Sequence, residues 1–426
     1  MTAARAAVLR LLAASWGQLL AAIILLGSLR VYTETMPAER FGEAMLVLGG
    51  LGLIDGFASM AFTQTCAQYL KDHTSRDDRR GLGLGMARLA VIPFAVVVGL
   101  GVLATLPFVE RTVVPELLAA AVLYLFAEPV RAVGRAMAQL DRRFSLASAW
   151  QTAEAAATLG ISWLLIRQSG GTGGDLLLGA VAGRALAAAL FLPLAMGPPA
   201  HWRPNAGMAG TIRREAFAFA RPVAAMAPVG WLAFYLDRYL VGAMVGLEAA
   251  GLFAALSGAV SRPFSIASAG LTNLFRPDLL DEAAGRPPAH SRPLRRWIAY
   301  GLAIGTLGAG SFALLGDWIS GLLIADQHGS AHLGGTLMAV LALSQCLVVV
   351  THAVENRLLV ANLMRRVLLW ESMALIFGAP LIALAAGLAG SVGAAWGRVA
   401  NEGLKLLAVA LIFHFSITRL SRASKP

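Results

Sequence analysis

Apolar runs of about 20 residues, the length that crosses a bilayer as a helix, recur from one end of this 426-residue chain to the other. Inside hydrocarbon every backbone N–H and C=O group must be paired within the protein, which favours helices. The chain is 58% hydrophobic and only 14% charged. Stretches such as 88–107 and 300–315 lack the alternation typical of membrane β-strands. The sequence therefore predicts an all-α polytopic membrane protein.

Twelve candidate membrane spans follow from these runs. Their centres lie near Ala21, Ile54, Val98, Tyr124, Leu159, Leu186, Gly230, Val260, Gly308, Ala342, Ile376 and Val409. The first run, 11–29, is interpreted as a retained helix rather than a signal peptide. Trp297 and Trp318 bracket the ninth span and are predicted to lie at the two membrane interfaces.

The basic residues are distributed unevenly between the two sides of the membrane that these twelve spans would cross. With the N-terminus in the cytoplasm, about two-thirds of the 35 basic residues fall on the cytoplasmic side. The outer side carries Arg30, Arg40, Arg111 and Arg167. This bias supports twelve spans with both termini in the cytoplasm, and it explains the net charge of +11 without a nucleic-acid partner.

Two pairs of short stretches indicate an internal duplication. "AQLDRR" (138–143) and "ANLMRR" (361–366) each follow an even-numbered span, and "ERFGEAMLVL" from Glu39 resembles "EAAGLFAALS" from Glu248. Both pairs are shifted by six spans, an even number, so the two halves have the same orientation. We expect two parallel six-helix repeats around a central cavity: an N-terminal half at 1–200, a cytoplasmic linker at 201–218 and a C-terminal half at 219–426.

Three stretches carry a resemblance to a known family. They are "PAERFGEAMLVLGGLGLIDGF" at 37–57, "QLDRRF" at 139–144 and "ARPVAAMAPVGWLAFYLDRYLVGAMVGLEAAGLFAAL" at 220–256. Their pattern and topology resemble the Wzx-type O-antigen and exopolysaccharide flippases, in the MOP superfamily that also holds MATE drug exporters and lipid II flippases. The resemblance implies a flippase that moves an undecaprenyl-diphosphate-linked oligosaccharide across the bacterial inner membrane. It also implies the polymerase and assembly proteins of a polysaccharide pathway as further partners.

Charged residues within the predicted spans are the candidate functional groups, because a charge inside a membrane is costly and usually faces the bundle interior. The basic ones are Arg131, Arg135, Arg184, Arg238, Arg262, Arg398 and Lys405. The acidic ones are Asp55, Glu128, Glu154, Asp237, Glu371 and Glu402. In the family that the chain resembles, the helices carrying Glu154 and Arg184 lie farther from the cavity.

Arg262 is the sharpest candidate for binding substrate. It lies in the middle of span eight, is followed by Pro263, which is expected to bend the helix, and has no acid within one helical turn. A guanidinium binds phosphate oxygens bidentately, so a diphosphate is a suitable ligand. The further substrate-binding candidates are Arg238, Arg131 and Arg398, and the candidates for proton coupling are Asp55, Asp237 and Glu128.

Structural roles are the alternative for each of these charges. Asp55 is a possible partner of Arg262 across the cleft, and Asp237 a possible partner of a basic residue in the other half. Glu128, Arg131 and Arg135 share one helical face, as do Arg398, Glu402 and Lys405, so each set is suited to ion pairing. Arg135 and Lys405 are interpreted as snorkelling side chains, and Glu371 as interfacial.

An enzyme and a drug exporter are the alternative functions. The lysines, Lys71, Lys405 and Lys425, do not follow a glycine-rich loop, so the sequence excludes a P-loop, and it contains no HExxH motif. We therefore expect a transporter with no cofactor and no metal site. A MATE-type cation exporter stays open, because its site needs acids such as Asp55, Glu128 and Glu154.

Overall fold

A computed structural model describes residues 3–71, 75–105, 113–198, 202–283, 291–325, 331–360 and 364–423. Every regular element within these residues is helical. In chain order they are α1 (Ala3–Thr35), α2 (Ala38–Ile54), a π-helical turn (Asp55–Met60), α3 (Ala61–Leu70), α4 (Arg76–Thr105), α5 (Val114–Leu140), α6 (Phe144–Ser169), α7 (Gly173–Met196), α8 (Ala206–Met244), α9 (Leu247–Ala283), α10 (Arg292–Leu323), α11 (Ala331–Val360) and α12 (Met364–Ala423).

All twelve predicted span centres fall within these elements, which confirms the all-α polytopic fold class. Nine stretches of the described residues are long and apolar enough to cross a membrane. One of them, Leu369–Phe413, is 45 residues long and so holds the last two predicted spans. The helices α6 and α8 carry more polar residues and fall outside these nine.

The long helix α12 contains a sharp reversal. Ala389 and Gly390 leave the helical conformation, and Gly390 has a φ of 60°, which glycine adopts without steric cost. A Cβ atom on Gly397 would lie 2.7 Å from the Cα of Ile382, so the two arms run side by side. The arms, 364–388 and 391–423, are therefore the eleventh and twelfth predicted spans, folded as a hairpin.

The chain forms two compact units, Met1–Trp231 and Leu232–Pro426. The division falls inside α8, and the segment predicted as a cytoplasmic linker is helical from Ala206 onward. Each unit brings its own set of charged side chains together.

Interactions at one end of the first unit join several helix ends. The predicted order of membrane crossings places all of these ends on the cytoplasmic side. Arg76 and Arg79, at the start of α4, form salt bridges with Asp141, just after α5, at 3.3 and 2.9 Å. Arg76 also donates a hydrogen bond to the carbonyl of Ala195, at the end of α7, at 2.6 Å. The basic loops thus gather at one end of this unit, as the positive-inside pattern requires.

The opposite end of the first unit gathers the remaining loops. A Cβ atom on Gly171, just before α7, would lie 3.0 Å from Cγ of Met36, just after α1. One on Gly174 would lie 2.7 Å from a methyl of Val113, just before α5. The helices of this unit therefore alternate in direction along the chain.

The two stretches "ERFGEAMLVL" and "EAAGLFAALS" have the same local structure in the two units. Glu39 and Glu248 are each the second residue of their helix, α2 and α9, and Gly42 and Gly251 are each the fifth. Both glycines are buried. The matching helical register agrees with the predicted duplication, whereas part of "ANLMRR" (361–363) lies outside the described residues.

Glycines allow neighbouring helices to approach closely, as is usual where lipid surrounds the bundle. A Cβ atom on Gly183 of α7 would overlap the backbone of Thr158 in α6, and one on Gly179 would overlap Ser162. In the second unit, a Cβ on Gly316 of α10 would lie 2.9 Å from the Cα of Gly335 in α11. Each unit therefore has at least one helix pair in backbone contact.

Trp297 is enclosed by protein side chains rather than exposed. Its ring is buried within the second unit, 6.0 Å from the ring of Phe275 in a stacked arrangement and edge-on to His352. Trp318, by contrast, is 68% exposed. The spacing of the two tryptophans matches the membrane thickness, but packing against the aromatic neighbours determines where Trp297 lies.

We predict that Gly183→Ala destabilises the protein by about 1–3 kcal/mol, because the added methyl overlaps the backbone of Thr158. The matched control is Gly160→Ala in α6, where a Cβ meets nothing within 4 Å. That control gains about 0.5–1 kcal/mol from helix propensity. Thermal unfolding in detergent measures both, and equal stability of the two variants would contradict the close packing of α6 and α7.

Candidate functional site

A closed ring of polar side chains joins four elements of the first unit. Its members are Asp55, Ser59, Tyr124, Glu128, Arg131, Glu154 and Arg184. They come from the π-helical turn, α5, α6 and α7. Because most of the remaining residues of these elements are apolar, the ring is a polar cluster within a mainly apolar unit.

The π-helical turn and α5 are joined by two hydrogen bonds one helical turn apart. The hydroxyl of Tyr124 donates to Oδ1 of Asp55 at 2.8 Å, and the hydroxyl of Ser59 donates to Oε1 of Glu128. Residues 55 and 59 have the same spacing as residues 124 and 128, so the two elements meet in matching register. A π-helical turn inside an α-helix is uncommon and is frequent at functional sites.

Arg131 is the centre of the ring, because its guanidinium binds two carboxylates. Nε donates to Oε2 of Glu128 at 2.7 Å and Nη2 donates to Oε1 at 2.6 Å. Nη1 donates to both oxygens of Glu154 in α6, at 2.9 and 2.8 Å. This arrangement fixes α5 against α6 through charge-assisted hydrogen bonds, which are the strong ones in proteins.

Arg184 closes the ring from α7. Its Nη1 donates to Oδ1 and Oδ2 of Asp55 at 2.9 and 2.8 Å, and its Nε lies 3.9 Å from Oε1 of Glu154. Three carboxylates therefore surround two guanidinium groups. The half-buried Arg135 lies one turn beyond Arg131 on α5 and supplies a third positive charge.

Burial divides the ring into a sealed part and an accessible part. The side chains of Glu128 and Arg131 are 2% and 7% exposed, whereas those of Asp55 and Arg184 are 28% and 22% exposed. Removing one partner of a buried ion pair leaves an uncompensated charge and costs about 3–5 kcal/mol. The Glu128–Arg131 pair is thus a structural element, and the Asp55–Arg184 pair is the part that outside groups can reach.

The ring brings together three predicted site residues, Asp55, Glu128 and Arg131, and corrects one expectation. Asp55 is not a lone acid, because it bonds Arg184 and Tyr124 within its own unit. Arg184 and Glu154, which were not selected as site residues, belong to the same ring. The sequence signal for this pairing is one acid in span five and one base in span six.

The second unit contains a buried ion pair between α8 and the second arm of α12. Nη1 of Arg398 lies 2.6 Å from Oδ2 of Asp237 and donates a hydrogen bond to the hydroxyl of Ser257 in α9 at 3.1 Å. The two charged side chains are 4% and 3% exposed. Asp237 therefore pairs with a residue of its own unit, not with one of the other half as the sequence analysis suggested.

A small cleft opens beside this ion pair. Its lining residues are Leu232, Ala233, Leu236, Asp237, Leu375, Ala379, Ile382, Arg398 and Asn401. Asn401 is buried, and its Oδ1 has no hydrogen-bond partner among the described residues. Gly378, on the first arm of α12, leaves room for that amide, because a Cβ there would overlap it. The cleft thus has polar groups at one end and apolar walls.

Arg238 and Arg262 differ from the other arginines of the predicted site in having no salt bridge among the described residues. Arg238 lies over the ring of Tyr235, 4.5 Å from its centre, and its buried Nε has no hydrogen-bond partner there. Arg262 is half-buried in α9, which is helical on both sides of Pro263. The phenol of Tyr235 also interacts electrostatically with Arg262, so the same aromatic side chain interacts with both cations.

Lys405 and Glu371 form an ion pair with each other. Nζ of Lys405 lies 3.6 Å from Oε1 of Glu371 and 3.8 Å from Oε1 of Glu355, a residue of α11 that was not among the predicted candidates. The side chain of Lys405 is 18% exposed, so it is enclosed by these acids rather than extended to the surface.

Known structures with the same fold are transport proteins. The chain is similar to a lipid II flippase, MurJ, in an inward closed conformation (TM-score 0.71, 10% identity, covering 96% of this chain and 87% of that one). It is also similar to an inward-facing multidrug resistance MATE transporter of the MOP superfamily (0.67, 10%, 95% and 96%). The Vibrio cholerae MATE transporter VcmN in its bent form gives 0.58 at 12% identity, with 96% and 97% covered. At these identities the likeness shows the fold alone.

Family membership rests on a match of sequence rather than of fold. No curated protein sequence matches this chain. The family model described as polysaccharide biosynthesis protein matches residues 11–274, which is more than half of the chain and includes the whole ring of the first unit. This multi-pass membrane protein therefore belongs to the polysaccharide biosynthesis protein family.

Proposed function

We propose that this protein is a flippase that moves an undecaprenyl-diphosphate-linked oligosaccharide, an O-antigen or exopolysaccharide repeat unit, across the bacterial inner membrane. The observation that carries the proposal is the pair Arg238 and Arg262, two cations of the second unit that form no salt bridge within the described residues. Membership of a polysaccharide biosynthesis family and a fold like that of a lipid II flippase support it.

An uncompensated guanidinium in an apolar helix is costly, so its retention points to a ligand that supplies negative charge. Arg262 is fifteen residues into α9, deep within the span Leu247–Arg276, and so is positioned to meet a headgroup inside the membrane. A diphosphate offers several oxygens for planar, bidentate donors. The polyprenyl chain would stay in the lipid, which faces exposed apolar side chains such as Leu274.

The other two substrate-binding candidates have their charges satisfied. Arg131 binds Glu128 and Glu154, and Arg398 binds Asp237. In this conformation both guanidinium groups hold helices together. We therefore assign headgroup binding to Arg262 and Arg238, and a structural role to Arg131 and Arg398.

The proton-coupling candidates Asp55, Asp237 and Glu128 each bind an arginine in this structure. Coupling at any of them would therefore involve the opening of its ion pair. Asp55 is the most exposed of the three, which makes the Asp55–Arg184 pair the one best placed to open. Transport then follows an alternating-access cycle driven by an ion or substrate gradient, with both termini in the cytoplasm.

The alternative is a MATE-type exporter of organic cations, favoured by the fold likeness to two such transporters. A cation site needs a carboxylate with spare charge. In the first unit Asp55, Glu128 and Glu154 all bind arginines, and this disfavours a cation there. The test below separates the two functions.

We predict that Arg262→Ala slows transbilayer movement of a fluorescent undecaprenyl-diphosphate oligosaccharide in proteoliposomes by about ten- to a hundredfold. Hydrogen bonds to a charged group contribute about 1.5–3 kcal/mol, which sets this range. The matched control is Arg276→Ala, an exposed arginine at the end of the same helix, which should keep the wild-type rate. Unchanged movement in Arg262→Ala would refute the headgroup site. Extrusion of a cationic dye without lipid movement would establish the exporter.

We predict that Arg398→Met lowers stability by about 3–5 kcal/mol, because it leaves Asp237 as an unpaired buried charge. Adding Asp237→Leu should restore most of the loss, since replacing both members of a buried pair is often neutral. Thermal unfolding in detergent and the flipping assay measure the single and double variants. A double variant that folds normally yet moves no lipid would contradict the purely structural role and show that the Asp237–Arg398 pair takes part in transport.

A further inference from the structure

A cluster of acids lies where α11 meets the two arms of α12 in the second unit. Glu355 comes from α11, Glu371 from the first arm, and Glu402 with Lys405 from the second arm. His352, one turn before Glu355, completes the cluster, with Nδ1 at 3.6 Å from Oε2 of Glu355. These side chains belong to neither the ring of the first unit nor the Asp237–Arg398 pair.

The carboxyl groups of Glu355 and Glu371 approach the same cation, because Oε1 of each lies within 4 Å of Nζ of Lys405. Lys405 lies against both, at 3.8 and 3.6 Å, but its single positive charge cannot neutralise two carboxylates. Like charges this close cannot both stay ionised in a buried site.

Glu402 is the third acid of the cluster. One of its carboxylate oxygens is a separate indication that the cluster lacks a partner group. It is 4% exposed, and its Oε2 has no hydrogen-bond partner among the described residues. It lies one helical turn from Lys405, which interacts with it electrostatically, as Glu355 does. With all three acids ionised, the cluster holds three negative charges against one lysine, and burying such an excess is unfavourable.

Other charged groups do not remove this excess. The groups that act electrostatically on the three acids, from α8, α11 and both arms of α12, are Asp237, His352, Glu355, Glu371, Arg398, Glu402 and Lys405. Arg398 is already paired with Asp237. No group of residues in the described chain has the arrangement of a metal site.

We propose that Glu355 and Glu371 form a proton-binding site of the second unit, in which the two carboxyl groups share one proton. In the bound state one of the two carboxyl groups is neutral, and Lys405 lies beside the remaining carboxylate. When the proton leaves, it goes to water or to Nδ1 of the 42%-exposed His352, and both carboxylates are then ionised. No other bond forms or breaks.

The geometry also names the movement that releases the proton. Glu355 and Glu371 are on different helices, so the shared proton depends on the contact between α11 and the first arm of α12. Sliding one helix past the other separates the two carboxyl groups and exposes their charges. The site therefore links protonation to the packing of these helices, whatever substrate the protein carries.

Infrared difference spectroscopy of the full-length protein in membranes, recorded across a pH series, tests the proposal. With glutamate labelled in the carboxyl position, the wild type should show a protonated-glutamate band that disappears as the pH rises. Glu371→Gln and Glu355→Gln should each remove this band. Glu248→Gln, a matched change at an exposed residue of α9, should leave it in place.

Two results would overturn the proton site. One is the absence of a pH-dependent glutamate band in the wild type, a measurement that needs no variant. The other is a band that persists in a correctly folded Glu371→Gln or Glu355→Gln protein, as judged by size-exclusion chromatography. Because neither result depends on transport, failure of this proposal is distinguishable from failure of the flippase proposal.

Discussion

A charge buried among membrane-spanning helices must find its counter-charge within the protein, and this constraint determines which helices pack together here. Arg131 bonds a residue 23 positions away, Arg184 one that is 129 positions away, and Arg398 one that is 161 positions away. Water is scarce around these side chains, so an open pair has little to replace it. Each pair thereby fixes the register of two helices that the sequence separates widely.

Small residues make these pairs possible. Gly183 immediately precedes Arg184, and Thr158, the residue it contacts, is one turn beyond Glu154. The close approach of α6 and α7 at this point brings that acid and that base within reach of each other. In the second unit, Gly378 receives the side chain of Asn401, one turn from Arg398. Backbone contact and charge pairing are thus two parts of one arrangement.

The structural features that the sequence predicts are those that depend on composition or on residues close together along one helix. Length and hydropathy located all twelve spans, and helical spacing correctly paired Glu128 with Arg131. Partners on different helices, such as Asp55 with Arg184, depend on tertiary packing that spacing does not encode. The π-helical turn at Asp55–Met60 has no marker in its residue types, because its geometry is imposed by contacts with α5.

The two units are both helical but distribute their charges differently. The first unit gathers its charges into one ring of opposite signs, whereas the second unit separates them. In the second unit, Arg238 and Arg262 form a group with a net positive charge. Glu355, Glu371 and Glu402 form a group with excess negative charge. The ion pair Asp237–Arg398 has no net charge. It interacts electrostatically with one member of each group, Arg238 and Glu402.

Such a series of interacting charges ties the two proposed sites together. An anion bound at Arg238 cancels positive potential that favours ionised carboxylates, so it favours proton uptake at the acids. By reciprocity, protonating the acids favours binding of the anion by the same free energy. The size of this coupling falls with distance and with water between the groups, as for any pair of charges. In such a flippase of a diphosphate-linked lipid, the dependence of transport on protons would come only from the charged residues by which the second unit differs from the first.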